Sequence, residues 1–277
     1  MEMRALVFSV LLLALAVAGA PTGDDISAVP FPSSAIAFNA TRWRGRFPNT
    51  GRVYNASLAI FDPRKLSIAL RADGCVQHAP VSATAKGARC LYATNAGFFD
   101  FPPHAACEGN LFLGGQLKQF LSGSLANIAV NGSHVIAGYF ANGSTAGAAR
   151  PASLVSGRGW LVRGGAQYVN SSREFPSPTT DGFVKEWAPR TGAGVRADGA
   201  GMLLTIDGIE GTSQAAGGSL WEFADLLAQL GAVQAVNLDG GGSTTAFFNG
   251  TVFNEPHCAD SWTVCERDVT TITCVSD

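Results

Sequence analysis

Met202-Leu203-Leu204-Thr205-Ile206-Asp207-Gly208, then Ser219-Leu220-Trp221-Glu222-Phe223-Ala224-Asp225-Leu226-Leu227-Ala228-Gln229-Leu230-Gly231, then Ala235-Val236-Asn237-Leu238-Asp239-Gly240-Gly241-Gly242-Ser243 spell strand, helix, strand. Ser219 is the N-cap and Glu222, three residues on, its capping-box partner. Phe223, Leu226, Leu227 and Leu230 fall on one helical stripe that Gly231 ends, and that stripe has to cover a sheet. Both apolar runs end in Asp-Gly, delivering a carboxylate where buried strand meets loop. If the strands are neighbours with the helix crossing between them, Asp207 and Asp239 share a pocket, the arrangement glycosyl transfer needs. Asp-Gly is also a plain turn signal. At Asp239 three consecutive glycines argue against that bland reading, because they are entropically costly unless backbone must approach something closely. A Gly-rich loop with exposed N–H groups suits an anion such as phosphate, although Gly runs also serve as linkers.

Upstream, short β-rich runs alternate with turn residues. Val53 to Phe61, Asp62-Pro63-Arg64-Lys65 and Leu66 to Leu70 have a hairpin signature. Ala126 to Val130 and His134 to Phe140 flank Asn131-Gly132, and Thr244 to Phe248 and Thr251 to Phe253 flank Asn249-Gly250, the two-residue type I′ signal. A second helix is expected around Pro80 to Ala88. Leu91 to Asp100 is a strand entering a small-residue turn, with Asn95 suited to hydrogen-bond a ligand and Phe98 and Phe99 to the core. Arg190-Thr191-Gly192-Ala193-Gly194 sets an arginine beside a flexible turn, either for bidentate phosphate contact or as a structural surface residue. The expected fold class is α+β, with mostly antiparallel mixed sheets, a few covering helices and a single disulfide-stapled domain.

The 277 residues include 33 Gly and 13 Pro, with 47% hydrophobic and 14% charged residues. That is a globular composition. A net charge of −2 without a Lys/Arg cluster argues against nucleic acid or an anionic membrane as partner. Residues 1–20 have the form of a secretory signal peptide: Arg4, an apolar stretch from Ala5 to Val17, and Ala18-Gly19-Ala20 or Ala16-Val17-Ala18 as cleavage pattern. No later apolar run approaches ~18 residues, so no membrane span is expected in the mature chain. Residues 21–51 suggest a flexible lead-in or pro-peptide, leaving 52–277 as the catalytic domain. Six Asn-x-Ser/Thr sequons, at Asn39, Asn55, Asn131, Asn142, Asn170 and Asn249, fit a glycosylating lumen. Six cysteines fall into two clusters of three, so full pairing requires a bridge between clusters. The chain has no G-x-S-x-G, H-E-x-x-H, C-x-x-C or Walker A sequence, and its four histidines lack ligand spacing. Neither metal nor cofactor is expected.

Taken together, Asn95-Ala96-Gly97-Phe98-Phe99, Gly159-Trp160-Leu161-Val162-Arg163, Arg190-Thr191-Gly192-Ala193-Gly194, Asp207-Gly208, Leu220-Trp221-Glu222 and Asn237-Leu238-Asp239-Gly240-Gly241-Gly242-Ser243 resemble the phosphodiester glycosidase family, over roughly Arg52 to Asp277. The family's N-G-G-F-F and R-T-A-I-G differ here only at small or apolar positions. The resemblance implies hydrolysis of a sugar-1-phosphodiester on glycoprotein N-glycans, releasing N-acetylglucosamine and leaving mannose 6-phosphate, in the secretory pathway lumen (Golgi, lysosome or outside the cell). It implies pairing of Cys75 with Cys107, Cys90 with Cys274 and Cys258 with Cys265, and marks Arg42 to Arg46 as a pro-peptide cleavage region. Asp207 and Asp239 then supply base or nucleophile and stabilising charge, and Glu222 is a further catalytic candidate that its capping box already explains. Arg190, Thr191 and the N–H groups of Gly240, Gly241, Gly242 and Ser243 hold phosphate, and Asn95 positions the sugar. Two other readings are a secreted glycan-binding protein without turnover and an enzyme for a different polysaccharide phosphodiester.

Overall fold

All six residues of the strand Gly201–Ile206 are buried, and its side chains divide between two cores. Leu203 faces a cluster with Ala59, Tyr139, Val155, Ala193 and Val236. Met202, Leu204 and Ile206 face the opposite side, against Phe223, Leu226 and Leu227 of the helix Leu220–Gln229. A strand covered on both faces has to be apolar throughout, which accounts for the unbroken runs in the sequence. The computed structural model describes residues 23–71, 74–101, 104, 106–211, 213–259 and 262–277, and the signal-peptide segment 1–20 lies outside the described residues.

Three sheets meet around the first of these cores. The seven-stranded sheet runs in the order Ala166–Gln167, Trp160–Arg163, Ala232–Asn237, Arg190–Arg196, Gly201–Ile206, Val53–Phe61, Asn39–Arg46. A six-stranded sheet includes Asp25–Pro30, His134–Tyr139 and Asn127–Val130, and a five-stranded one holds Tyr92–Asn95 and Thr271–Val275 at its middle. Every pairing between named strands is antiparallel, so the mixed sheets expected from sequence are purely antiparallel ladders. Outer faces are closed by helices: Leu220–Gln229 on the seven-stranded sheet, Val81–Ala88 on the five-stranded, and Gly143–Ala148 on the six-stranded. Ser219 and Glu222 form the expected capping box. Each large apolar side chain buried under that helix contributes ~1.5–3 kcal/mol. Among the described residues no helix is long and apolar enough to cross a membrane.

Four expectations need correction. The lead-in carries regular structure over its described residues, 23–51: Asp25–Pro30 pairs with His134–Tyr139, and Asn39–Arg46 pairs residue for residue with Val53–Phe61. The alternation that binds it, with Phe47 and Phe38 packed inward, was obscured by its prolines and arginines. Val53–Phe61 and Leu66–Leu70 do not form a hairpin. The turn Pro63–Lys65, capped by the Asp62 side chain, hands the chain from the seven-stranded to the five-stranded sheet. Arg190-Thr191-Gly192-Ala193-Gly194 is no flexible turn but the first part of a buried central strand. Its glycines leave room for neighbours, since a Cβ at Gly192 would meet Phe223 of the helix at 2.9 Å and one at Gly194 the Gln234 carbonyl at 2.6 Å. The two Asp-bearing strands are not neighbours either, because Arg190–Arg196 lies between them.

The two Asn-Gly hairpins form as expected, Asn249 and Gly250 adopting φ of 46° and 90°. The disulfides are Cys75–Cys107, Cys90–Cys274 and Cys258–Cys265, the three pairings that the resemblance implied. Five sequon asparagines sit at strand ends, turns or helix flanks, whereas Asn55 is half-buried inside Val53–Phe61.

Candidate active site

Register carries both carboxylates to one edge of the seven-stranded sheet. Ile206 lies opposite Arg190, and Asn237 opposite Gly192, so Asp207 and Asp239 leave the sheet on either side of the Pro189–Arg190 entry. Two strand spacings separate their backbones, about 10 Å. Backbone bonds hold each one: Asp207 N–H donates to the Asn55 carbonyl of the neighbouring strand at 2.9 Å, and Asp239 N–H to the Ala96 carbonyl, just past Tyr92–Asn95 of the five-stranded sheet, at 2.9 Å.

Asp207 is 8% exposed. Its Oδ1 accepts from Asn254 Nδ2 at 2.9 Å, while Oδ2 has no hydrogen-bond partner and faces Arg42 Nη2 at 3.6 Å. Burial pushes its pKa up to about 6, with Asn254 and Arg42 pulling the other way. The same buried charge helps raise the Tyr92 phenol, whose hydroxyl also lacks a partner. Asp239 is raised further, to about 7, again by burial first. The Ser243 hydroxyl, Arg267 and the Gly240 N–H favour its anion, and Glu210 opposes it. Ser243 Oγ lies near enough to act on that carboxyl, yet it closes no hydrogen bond.

Around Asp239 the glycines let charged groups approach the chain. A side chain at Gly241 (φ 56°) would collide with the Glu210 carboxylate, and one at Gly242 with the Arg267 guanidinium. Arg267 also donates through Nε and Nη2 to the Cys258 carbonyl, at 3.2 and 3.0 Å. Asn254 joins the two halves: Nδ2 donates to Asp207 and to the Thr244 carbonyl at 3.1 Å, and Oδ1 accepts from Ala246 N–H at 2.8 Å. Beside Asp207 opens a cleft of ≈ 290 Å³ whose walls include Arg44, Asn55, Glu255, His257 and Trp262.

Several residues chosen from sequence have other work. Asn95 is fully buried, with Nδ2 donating to the Asp239 carbonyl at 2.6 Å and Oδ1 accepting from Thr191 Oγ1 at 2.8 Å and Thr245 N–H at 3.2 Å. Asn95 and Thr191 therefore position Asp239 through its backbone carbonyl. Arg190 is 1% exposed, its Nε and Nη2 donating to the carbonyls of Gly218, Phe183 and Glu186. It braces the loops behind Asp239. Three of the four N–H groups from Gly240 to Ser243 are used within the protein: Gly240 N–H donates to Asp239 Oδ1, Gly241 N–H to the Pro189 carbonyl and Ser243 N–H to the Gly240 carbonyl. Glu222 caps Ser219 and receives Arg52 Nη2 at 2.6 Å and the Thr50 hydroxyl, so both of its carboxylate oxygens are engaged in structural contacts. Glu210, Asn254, Arg267 and Arg42 were not singled out from sequence for the site. Glu210 alone had a local signal, following Asp207-Gly208 by two residues; the others reach the site only through tertiary pairing.

Residues 88–276 match the family model for phosphodiester glycosidase. The chain belongs to the phosphodiester glycosidase family. Among curated relatives, N-acetylglucosamine-1-phosphodiester α-N-acetylglucosaminidase of Mus musculus is 36% identical over 221 residues, 74% of this chain and 42% of the relative. The Homo sapiens protein of the same name is 34% identical over 219 residues, 74% of this chain and 41% of the relative. The chain thus spans about two fifths of the curated relatives it matches. A solved structure of the zebrafish catalytic domain of that name, auto-inhibited by pro-peptide, superposes with a TM-score of 0.76 at 25% identity, covering 92% of this chain and 88% of the other. A hypothetical protein from Synechocystis shares the fold, at 0.66 and 17% identity, covering 92% of this chain and 68% of the other. The phosphodiester glycosidase match includes Asp207, Asp239, Glu210, Asn254 and Arg267 within one family model.

Proposed function

We propose that the chain hydrolyses N-acetylglucosamine-α-1-phosphodiesters on the mannose of glycoprotein N-glycans, releasing N-acetylglucosamine and exposing mannose 6-phosphate. The observation that carries this reading is the pair Asp207 and Asp239, held at one sheet edge with pKa values raised to about 6 and about 7. Between those values one carboxyl is ionised while the other keeps its proton, as acid–base cleavage of a glycosidic bond requires. Ionised Asp207 either takes the proton of the water that attacks the anomeric carbon or attacks that carbon itself, water then hydrolysing the glycosyl-enzyme. Asp239 donates its proton to the departing phosphate oxygen as the C1–O bond breaks. A phosphate monoester leaves readily, so most of the catalytic demand falls on holding it and on stabilising an oxocarbenium-like sugar. Arg267, beside Gly242 and acting on Asp239, replaces Arg190 as the phosphate-holding cation.

The strand Asn39–Arg46 restrains this site. Arg42, on the strand Asn39–Arg46, ion-pairs with Glu255 at 3.0 Å and stands against Asp207. That fits a pro-peptide role for the lead-in, in line with the auto-inhibited zebrafish relative. Three disulfides and the relatives' names support a secretory-pathway location. A glycan on Asn55 would fill the cleft, which leaves five sequons for modification.

The test is release of N-acetylglucosamine from N-acetylglucosamine-α-1-phospho-6-mannose by the purified chain, with Asp207→Asn and Asp239→Asn alongside. Release that falls at least ~100-fold in each variant is expected of acid–base groups. Glycan binding with no release would establish the non-catalytic reading instead.

A further inference from the structure

Trp262 is 58% exposed, and an exposed indole ordinarily samples several rotamers. Here it is held. Its Nε1 donates to Gln214 Oε1 at 2.8 Å, across to the loop that follows Glu210. Its ring meets His257 edge to face, with centroids 5.4 Å apart and planes at 82°. The loop that carries it is closed by Cys258–Cys265 and tied at its base, where Cys258 N–H donates to Cys265 at 3.1 Å and Cys265 N–H to Pro256 at 2.9 Å. Arg267 clamps the Cys258 carbonyl from behind. None of this lowers the solvent exposure of the indole.

What the restrained indole faces is the cleft that Asp207 shares with Glu255 and Arg44. His257, in the same wall, is 7% exposed with Nδ1 lacking any hydrogen-bond partner. A flat apolar wall opposite a few convergent polar groups is the composition of a small-molecule pocket. Pyranose rings suit it, because equatorial hydroxyls leave one face of C–H groups that lies against an aromatic ring while the hydroxyls point to the rim.

We propose that Trp262 is a stacking platform for the pyranose ring, seating its apolar face on the indole with the anomeric carbon toward Asp207. This rests on the phosphodiester glycosidase reading and names the subsite that selects the sugar. Ordering the indole before the sugar arrives removes an entropic penalty from binding.

The experiment is steady-state kinetics on N-acetylglucosamine-α-1-phospho-6-mannose with Trp262→Ala, Trp262→Phe and Trp262→Leu, folding being checked by near-UV circular dichroism. Trp262→Ala should raise KM about tenfold, equivalent to ~1.4 kcal/mol, with kcat changed less than about twofold. Trp262→Phe should recover most of that loss and Trp262→Leu should not. An unchanged KM in Trp262→Ala, a fall in kcat alone, or equal rescue by Leu overturns the platform. A second readout is independent of turnover: tryptophan fluorescence titrated with N-acetylglucosamine-1-phosphate, whose response should be lost in Trp262→Phe. If wild type responds yet hydrolyses nothing, the platform stands and the hydrolase reading fails. If wild type hydrolyses and Trp262→Ala keeps its KM, the reverse holds.

Discussion

Asp239 and Asp207 are kept protonated to higher pH because burial removes water that would stabilise the anion, and the neighbouring cations only partly compensate. The stability consequence follows from proton linkage. A carboxyl whose folded pKa is raised favours the folded state fully at low pH and loses that favour as pH rises from the ordinary carboxylate value through the folded one. For Asp239 the window runs from about 3.8 to about 7. Above it the ionised group destabilises the fold by an amount on the order of a few kcal/mol. Asp239→Asn keeps an oxygen for the Gly240 N–H and carries no charge. Thermal unfolding of this variant should therefore occur several degrees above wild type at pH 8, at roughly 2–4 °C per kcal/mol, and the gap should close near pH 4. An equal gap at both values would mean that charge is not the cause. The group that destabilises the protein is thus the one proposed to transfer the proton.

The strand Asn39–Arg46 acts on chemistry from the edge of the sheet. It pairs along its whole length with Val53–Phe61, and that register aims Arg42 at Asp207 and Glu255. Arg42 lowers the Asp207 pKa, so its removal leaves the carboxyl with more of its burial penalty. In Arg42→Ala the acidic limb of the kcat/KM profile should move to higher pH, while the rate on the plateau rises as the cleft is freed. A pH–rate series on wild type and variant measures both. An unshifted limb would show that Arg42 does not reach Asp207 in solution.

Across the molecule, covalent closure complements a core that three sheets share. Cys90–Cys274 joins residues 184 apart, fastening the end of the helix Val81–Ala88 to the interior strand Thr271–Val275 of the five-stranded sheet. Cys258–Cys265 spans only 7. Loop-closure entropy assigns these about 5 and about 2 kcal/mol respectively. Replacing Cys90 and Cys274 by Ala should lower the unfolding midpoint well beyond the effect of replacing Cys258 and Cys265. Comparable midpoints would place the stabilisation in local strain rather than in chain entropy.

The elements with local signatures were legible in the sequence: the capping box of Ser219 and Glu222, the Asn-Gly hairpins, the apolar strands ending at Asp207 and Asp239, and, through family resemblance, the cysteine pairing. Each depends on neighbours within a few residues or on a motif that stands intact in the chain. Arg190, Asn95 and Thr191 had the right chemistry for a ligand, and only tertiary packing turned it inward toward carbonyls and toward Asp239. The lead-in became two strands because partners more than a hundred residues away, or across the Phe47 turn, supplied their hydrogen bonds. The sequence alone thus determined which carboxylates leave which strands and where the covering helix begins. Tertiary structure decided which side chains face water, since burial and charge proximity depend on pairings that no local pattern encodes.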